Sequence, residues 1–266
     1  MPGITILRKT ERRVAGLLQS IRKSILACEL AGAEFVPFIQ PVYQSSSLVG
    51  CEVLMRVKKN GILHSPEKYL SAIESGDIVN DVTCSLLEKV KAHFAPCAQS
   101  LPEGFYFSFN ICAYQLNSPR TIKAVKNFSA HFGQRITVVL EIVERGTTEF
   151  DDFAQEVMQG LIRSGVRFSI DDFGSGSSGL KYIEHSGFST IKIDKCLTVA
   201  SNGSLVYSSV IDAIMTLSEK LDIQIIAEGV ESDEQLRLLK NKGVNTFQGY
   251  LFSRPVSMEV FSEKFL

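Results

Sequence analysis

Six short apolar runs, each carrying or closing on a polar residue and set apart by helical stretches, leave this chain very few folds. Phe105–Phe109 ends at Asn110, Arg135–Leu140 at Glu141, and Arg167–Ile170 at the adjacent pair Asp171 and Asp172. Thr190–Ile193 carries Lys192 and runs into Asp194, Ile223–Ala227 ends at Glu228, and Asn245–Phe247 ends at Gln248 just before Gly249. Short runs of this composition read as strands. Between them, Thr121–Ala130, Phe150–Ser164, Leu180–His185, Val206–Lys220 and Ser232–Lys240 show helical spacing. Strand and helix in alternation imply a parallel sheet. If that sheet closes into a barrel, every C-terminal strand end meets on one face, where such barrels carry their active sites.

Upstream of the repeats, Phe35–Tyr43 (F-V-P-F-I-Q-P-V-Y) reads as a strand with two prolines, which suggests an edge or end position. Gln44–Ser47 turns the chain and Leu48–Val57 forms a second strand. So short a link requires an antiparallel pair, because a parallel pair needs a long crossover. Glu52, Leu54 and Arg56 share one face of the second strand. The acid there is either merely exposed or part of an anion-and-metal pocket, and spacing alone leaves both readings open. Helical periodicity runs through Glu67–Ser75 and Val79–Ala92, and Pro96 to Gly104 is a connection. Thr10 to Leu30 is amphipathic, with Val14, Leu17, Leu18, Ile21, Ile25 and Leu26 on one face. It reads as a helix under the core or a connector from an upstream domain. Glu11, Gln19 and Glu29 among its basic residues argue against a membrane-surface helix.

At 266 residues the chain suits one α/β barrel or two smaller domains. Its net charge of -1, without a basic block, gives no case for DNA or RNA as a partner. Six cysteines (Cys28, Cys51, Cys84, Cys97, Cys112 and Cys196) form no C-x-x-C pair and no zinc spacing with histidine, so reduced, mostly buried thiols in a cytosolic setting are expected. The N-terminus lacks the apolar region of a signal peptide, and no apolar run reaches membrane-spanning length. The expectation is a cytoplasmic chain, or the cytoplasmic domain of a longer membrane-attached protein.

The chemistry concentrates at Phe168–Leu180, F-S-I-D-D-F-G-S-G-S-S-G-L. Successive strand residues point to opposite sides, so Asp171 and Asp172 can share one place only where the strand ends and the backbone turns. Gly174, Gly176 and Gly179 spell G-x-G-x-x-G, with Asp194 downstream as in a dinucleotide fold. Two carboxylates beside that loop would repel a pyrophosphate, and the dinucleotide turn normally opens its domain. Helix capping accounts for one acid at one strand end, but not for Glu52, Asn110, Glu141, Asp171, Asp172, Lys192, Glu228 and Gln248 together. Five carboxylates brought together without counter-charge would be prohibitively costly, and Lys192 neutralises one at most. Two divalent cations resolve this. A pair about 4 Å apart clamps an in-line displacement at phosphorus, and a lysine can orient or help deprotonate the water. A glycosidase needs only two carboxylates, and this chain has no Trp to stack on a sugar.

The chain resembles the EAL-domain family of bacterial cyclic di-GMP phosphodiesterases. The resemblance covers Phe35–Pro255 and rests on Q-P-V (Gln40–Val42), E-V-L-M-R (Glu52–Arg56), S-P (Ser65–Pro66), N-I-C (Asn110–Cys112), E-I-V-E (Glu141–Glu144), D-D-F-G-S-G (Asp171–Gly176), I-K-I-D (Ile191–Asp194), A-E-G-V-E (Ala227–Glu231) and Q-G-Y-L-F-S-R-P (Gln248–Pro255). It implies a modified TIM-type (β/α)8 barrel, its first strand antiparallel to the rest, over residues 31–266 behind a helical segment or connector at 1–30. One Mg2+ or Mn2+ is then expected at Glu52, Asn110, Glu141 and Asp171. A second is expected at Asp171, Asp172 and Glu228, with Asp171 bridging. Calcium is expected to inhibit. Lys192 would hold the attacking water, with Glu52 and Glu228 also catalytic, and Gln40, Leu54, Arg56 and Gln248 would face the substrate. Hydrolysis of cyclic di-GMP would give linear pGpG. Glu144 would brace the loop after Asp172, which in this family leads to a homodimer interface. An upstream sensor domain absent from this chain is a further expected partner.

Some positions depart from the family pattern. The family's E-A-L is E-V-L here, Cys112 replaces a serine, and Val143 replaces a threonine. The glycine loop carries Ser177 for the usual tyrosine and Gly179 for a serine. No expected metal ligand is lost. The loop changes bear on turnover, and the alternative is a catalytically weak or inactive relative that binds cyclic di-GMP or a protein partner.

Overall fold

The computed structural model describes residues 25–26, 29–74, 76–142, 152–175, 183 and 187–266. The chain divides into two compact units, Met1–Val36 with Met55–Val82, and Pro37–Leu54 with Thr83–Leu266. The smaller unit contains a hairpin in which Val57 pairs with His64 and Lys59 with Ile62. It also contains a short helix, Leu70–Ile73, that buries Ala72 and Ile73.

The strands in chain order are β1 (Glu34–Gln44), β2 (Ser47–Lys59), β3 (Ile62–His64), β4 (Phe105–Ile111), β5 (Ile136–Ile142), β6 (Arg167–Phe173), β7 (Phe188–Ile193), β8 (Ala200–Ser201), β9 (Ser204–Leu205), β10 (Gln224–Ala227), β11 (Thr246–Phe247) and β12 (Val256–Ser257). Eight of them close a barrel in the order β1–β11–β10–β7–β6–β5–β4–β2, with β2 pairing back to β1. From β2 through β4, β5, β6, β7 and β10 to β11 every pairing is parallel, whereas β1 meets β11 antiparallel. The reversed first strand follows from its tight link to β2.

The expected edge position for β1 is corrected: it is paired on both sides. On one side it changes partner midway. Phe38 and Ile39 pair with β12, and Tyr43 and Gln44 with β11. Pro41 falls in the gap between those two patches, where a missing ladder donor costs nothing.

Period-two alternation organises the wall. On β4, Tyr106, Ser108 and Asn110 share one face while Phe105, Phe107 and Phe109 point to the helices. Phe107 and Phe109 pack edge-on against Phe128 at 6.0 and 5.4 Å. Phe94 meets Phe107 at 4.9 Å and Phe261 at 5.9 Å. Each such buried ring contributes about 1.5–3 kcal/mol. The helix Pro119–Phe132 is started by Ser118, whose hydroxyl accepts from the Thr121 amide, and buries Thr121, Val125, Phe128 and Phe132 along one stripe. The helix Asp233–Asn241 opens with a Ser232/Gln235 capping box.

The helices found at Ile78–Phe94, Asp152–Arg163 and Ser208–Leu221 answer to the expected stretches within a few residues. Four short strand pieces (β3, β8, β9 and β12) and the helix Met258–Phe265 have no counterpart in the sequence reading. Two- and three-residue strands carry no period of their own, since tertiary pairing makes them. Most of the Thr10–Leu30 helix, most of the Leu180–His185 helix and Cys28 lie outside the described residues. Among the described residues no cysteine is in a disulfide, and Cys51, Cys84 and Cys112 are buried.

Candidate active site

Strand β6 answers how two neighbouring aspartates reach one place. Ile170 pairs with Ile191 and Phe173 with Ile193, so Asp171 and Asp172 together stand opposite the single residue Lys192. This is a β-bulge, which breaks alternation and re-aims a side chain. Asp172 takes φ 53°, a left-handed conformation that aspartate tolerates better than most residues. At Gly174, φ is 95° and a Cβ would run into Leu197, so the chain needs glycine to turn there. As a result, ligand oxygens of Asp171, Asp172 and Glu228 lie within 4.8 Å of one another.

Lys192, 1% exposed, is the centre of the arrangement. Its Nζ lies 2.7 Å from Glu141, 2.7 Å from Glu228, 3.1 Å from Glu52 and 3.2 Å from Asp171. One ammonium thus touches four carboxylates, yet it still balances only one charge. Glu52 is held from both sides: Asn110 Nδ2 donates to Oε1 at 2.7 Å and Gln248 Nε2 donates to Oε2 at 2.7 Å. Gln248 Nε2 also donates to Gln40 Oε1 at 3.2 Å, and Gln40 Nε2 donates to the Ser253 carbonyl.

Glu52 does not stand at a strand end. It lies inside β2, which continues past the acidic ring to pair with β3. The structure therefore brings together Gln40, Glu52, Asn110, Glu141, Asp171, Asp172, Lys192, Glu228 and Gln248. Leu54, half-buried, is two residues beyond Glu52 on β2. Arg56 belongs to the smaller unit, where its Nη1 donates to the Met55 carbonyl at 2.9 Å. Glu144, Val143, Ser177 and Gly179 lie outside the described residues. Asp194 is not part of the cluster contacts. Its Oδ1 accepts from the Cys196 amide in its own turn, so it is committed to a turn and not to a ribose.

Burial raises Glu141 well above the ordinary carboxylate range and raises Asp171, in both cases against the pull of Lys192. Burial pushes Glu228 up to about 8. Glu52 goes the other way: burial would raise it, but Lys192 and the hydrogen bonds from Gln248 and Asn110 prevail and hold it low. Burial opposes the charge of Lys192, but the four carboxylates outweigh it and keep the ammonium protonated.

The donor set fits hard divalent cations: carboxylate oxygens plus one amide, with acids left short of positive charge. Two buried acceptors, Asp171 Oδ1 and Gln248 Oε1, have no hydrogen-bond donor. Asp171 Oδ1 is within ion-pair distance of Lys192 but outside hydrogen-bond geometry.

One residue was beyond the reach of the sequence. Thr198, fully buried, donates its hydroxyl to the backbone carbonyl of Glu228 at 2.9 Å. Gln235 Nε2 in turn donates to the Thr198 carbonyl at 3.2 Å. Thr198 sits on no periodic face, and its partner is 30 residues away.

A family model described as the EAL domain matches residues 20–255. The probable cyclic di-GMP phosphodiesterase PdeG of Escherichia coli (strain K12) is 34% identical over 239 residues, covering 88% of this chain and 47% of the relative. The cyclic di-GMP phosphodiesterase PdeL of the same organism is 32% identical over 236 residues, covering 87% of this chain and 65% of PdeL. The chain thus spans between about half and two thirds of these two relatives. Among solved structures, the EAL enzyme Bd1971 in its form bound to cAMP and cyclic di-GMP aligns with a TM-score of 0.81 at 25% identity, over 98% of this chain and 74% of Bd1971. With the acids, the lysine and the reversed first strand all in place on such a barrel, the chain belongs to the EAL domain family.

Proposed function

We propose that this chain hydrolyses cyclic di-GMP to linear 5'-pGpG in a divalent-metal-dependent reaction. The observation that carries the reading is the complete acidic ring around Lys192, five carboxylates against one ammonium. The relatives that match it are named for this activity.

Glu52, Asn110, Glu141 and Asp171 would hold one cation, and Asp171, Asp172 and Glu228 a second, with Mg2+ or Mn2+ the ions proposed. When bound, such ions supply Lewis-acid charge to the phosphodiester and lower the pKa of water. Lys192 stays an ammonium, so it orients the attacking water by donating to it and does not act as a base. Glu52 and Glu228, both in contact with Lys192, are proposed to be catalytic beside it, with Glu228, raised to about 8, the better acceptor for the proton the water loses. The new bond joins the water oxygen to phosphorus. The P–O3' bond breaks, and the 3' oxygen leaves as a hydroxyl by taking a proton from solvent water, while the proton of the attacking water returns to solvent from the carboxylate. Gln40, Leu54, Arg56 and Gln248 are proposed to face the substrate, and Glu144 to brace the loop after Asp172.

The same proposal includes a homodimer through that loop, an upstream sensor in the full protein, a cytoplasmic site of action, and a division at residue 30 between a leading segment and the barrel. Among the described residues no helix is long and apolar enough to cross a membrane. Ser177 and Gly179 in the glycine loop favour one second reading, a receptor that binds cyclic di-GMP without turning it over.

Incubation of the purified chain with cyclic di-GMP and Mg2+ or Mn2+, followed by chromatography, tests the proposal. Linear pGpG that is absent with Glu52→Ala is the expected result. Binding by calorimetry without product selects the receptor, and neither binding nor product overturns both readings.

A further inference from the structure

The barrel interior beneath the acidic ring mixes small residues with two branched ones, Val139 under Glu141 and Ile226 under Glu228. Counting two residues back along each strand, Gly50 lies under Glu52, Ser108 under Asn110, Ser169 under Asp171, and Thr190 under Lys192. In barrels of this type that layer is normally filled by bulky branched side chains. Here Ser169 and Thr190 of that layer line a cavity of about 250 Å³, many times the roughly 10–15 Å³ that one water requires. The cavity's other lining residues lie at the N-terminal ends of the parallel strands, where Gly104, Arg167 and Gln224 are exposed. It therefore opens on the face of the barrel opposite the acidic ring and reaches that ring only at Glu141.

Two hydroxyls in this wall, Tyr106 OH and Ser169 Oγ, are buried and have no hydrogen-bond partner. Ser169 is 1% exposed. The Tyr106 ring lies against the paired residue Gly50, in the space a Cβ there would occupy. A buried polar group without a partner is costly, so a ligand that satisfies both is favoured.

We propose that this cavity is a second binding site, for a small neutral polyhydroxyl compound between glycerol and inositol in size. Each orphan hydroxyl both donates and accepts, as do Thr190 and the amides of Gln44 and Gln224 around it. A ligand rich in hydroxyls matches that set, whereas a purely donating or accepting one matches half of it. At the mouth Arg167 stands with Glu103, so neither charge sign is selected. Val139 and Ile226 offer an apolar strip for the C–H face of such a molecule.

Saturation-transfer NMR and calorimetry on the whole chain, with glycerol, erythritol and myo-inositol as probes, test the site. At least one probe is expected to bind saturably, with and without EDTA, and without competition from cyclic di-GMP. Ser169→Val, which removes an orphan hydroxyl and fills the hollow, should weaken that binding tenfold or more. Gln224→Ala, at the exposed mouth, should weaken it about threefold, and it keeps the test decisive if Ser169→Val melts early. No saturable binding by any probe, or binding unchanged in both variants, overturns the proposal. Binding that needs Mg2+ or is displaced by cyclic di-GMP puts the probe at the acidic ring and overturns it equally.

Discussion

Asp171 and Lys192 show how far single residues are set against the stability of the fold. Asp171 is buried with Glu52 and Asp172 nearby, and burial raises its carboxyl above the ordinary value. A raised carboxyl contributes stability that is present at low pH and lost as the pH rises through the folded value. Above that point the metal-free protein carries an unfavourable buried charge. Asp171→Asn should therefore lower hydrolysis by at least about 100-fold, because the acid shared by both proposed cation sites is gone. The same variant, free of metal near neutral pH, should melt no lower than the parent. Product assays and circular-dichroism melts run side by side check the pair. Near-normal turnover would sink the two-cation reading.

At the scale of the element, the bulge in β6 decides the site. Asp172 pairs a left-handed backbone with a carboxylate aimed at the cluster. Asn tolerates that backbone nearly as well as Asp, whereas Ala has no side-chain group to stabilise it locally. Asp172→Asn should melt within about 0.5 kcal/mol of the parent. Asp172→Ala should lose about 1 kcal/mol. Both should lose metal affinity, read by calorimetry with Mn2+. A parent-like affinity in both variants would show that the bulge serves the strand alone.

For the whole molecule, four carboxylates crowd one ammonium, and metal binding must couple to protons. Glu228 is raised to about 8 from 4.5, so its contribution to metal-free stability is fully present below about 4.5 and is lost as the pH rises through about 8. Glu141 and Asp171 shift in the same direction, and Glu52 is opposite. Cations that need ionised ligands should bind with release of protons, with affinity rising up to about tenfold per pH unit per proton released. The thermal shift caused by Mg2+ should accordingly be larger near pH 8 than near pH 6. A pH-independent shift would place the ion elsewhere. Calcium should occupy the same oxygens but inhibit, since its larger, looser coordination misplaces the water. Full activity with calcium alone would argue against tightly positioned attack.

The sequence by itself determined the alternation of strand and helix, the reversed first strand and the acids that would gather. Those properties are local: period two and period 3.6 are written in consecutive residues, and a link as short as Gln44–Ser47 permits only an antiparallel pair. Asn110, Glu141, Asp171 and Glu228 were legible because a parallel barrel presents its C-terminal strand ends to one place. Tertiary structure alone decided the rest. Glu52 sits inside its strand because β2 continues to pair with β3. Pro41 is tolerated within the barrel because β1 changes partner around it. Asp172 joins Asp171 because β6 bulges against β7. Lys192 meets Glu52 across 140 residues, and Thr198 holds Glu228 across 30. Contacts of that span depend on register and closure, which no window of neighbouring residues encodes. The hollow under the ring belongs to the same class, since Tyr106, Val139, Ser169, Thr190 and Ile226 line a common space only once the barrel has closed.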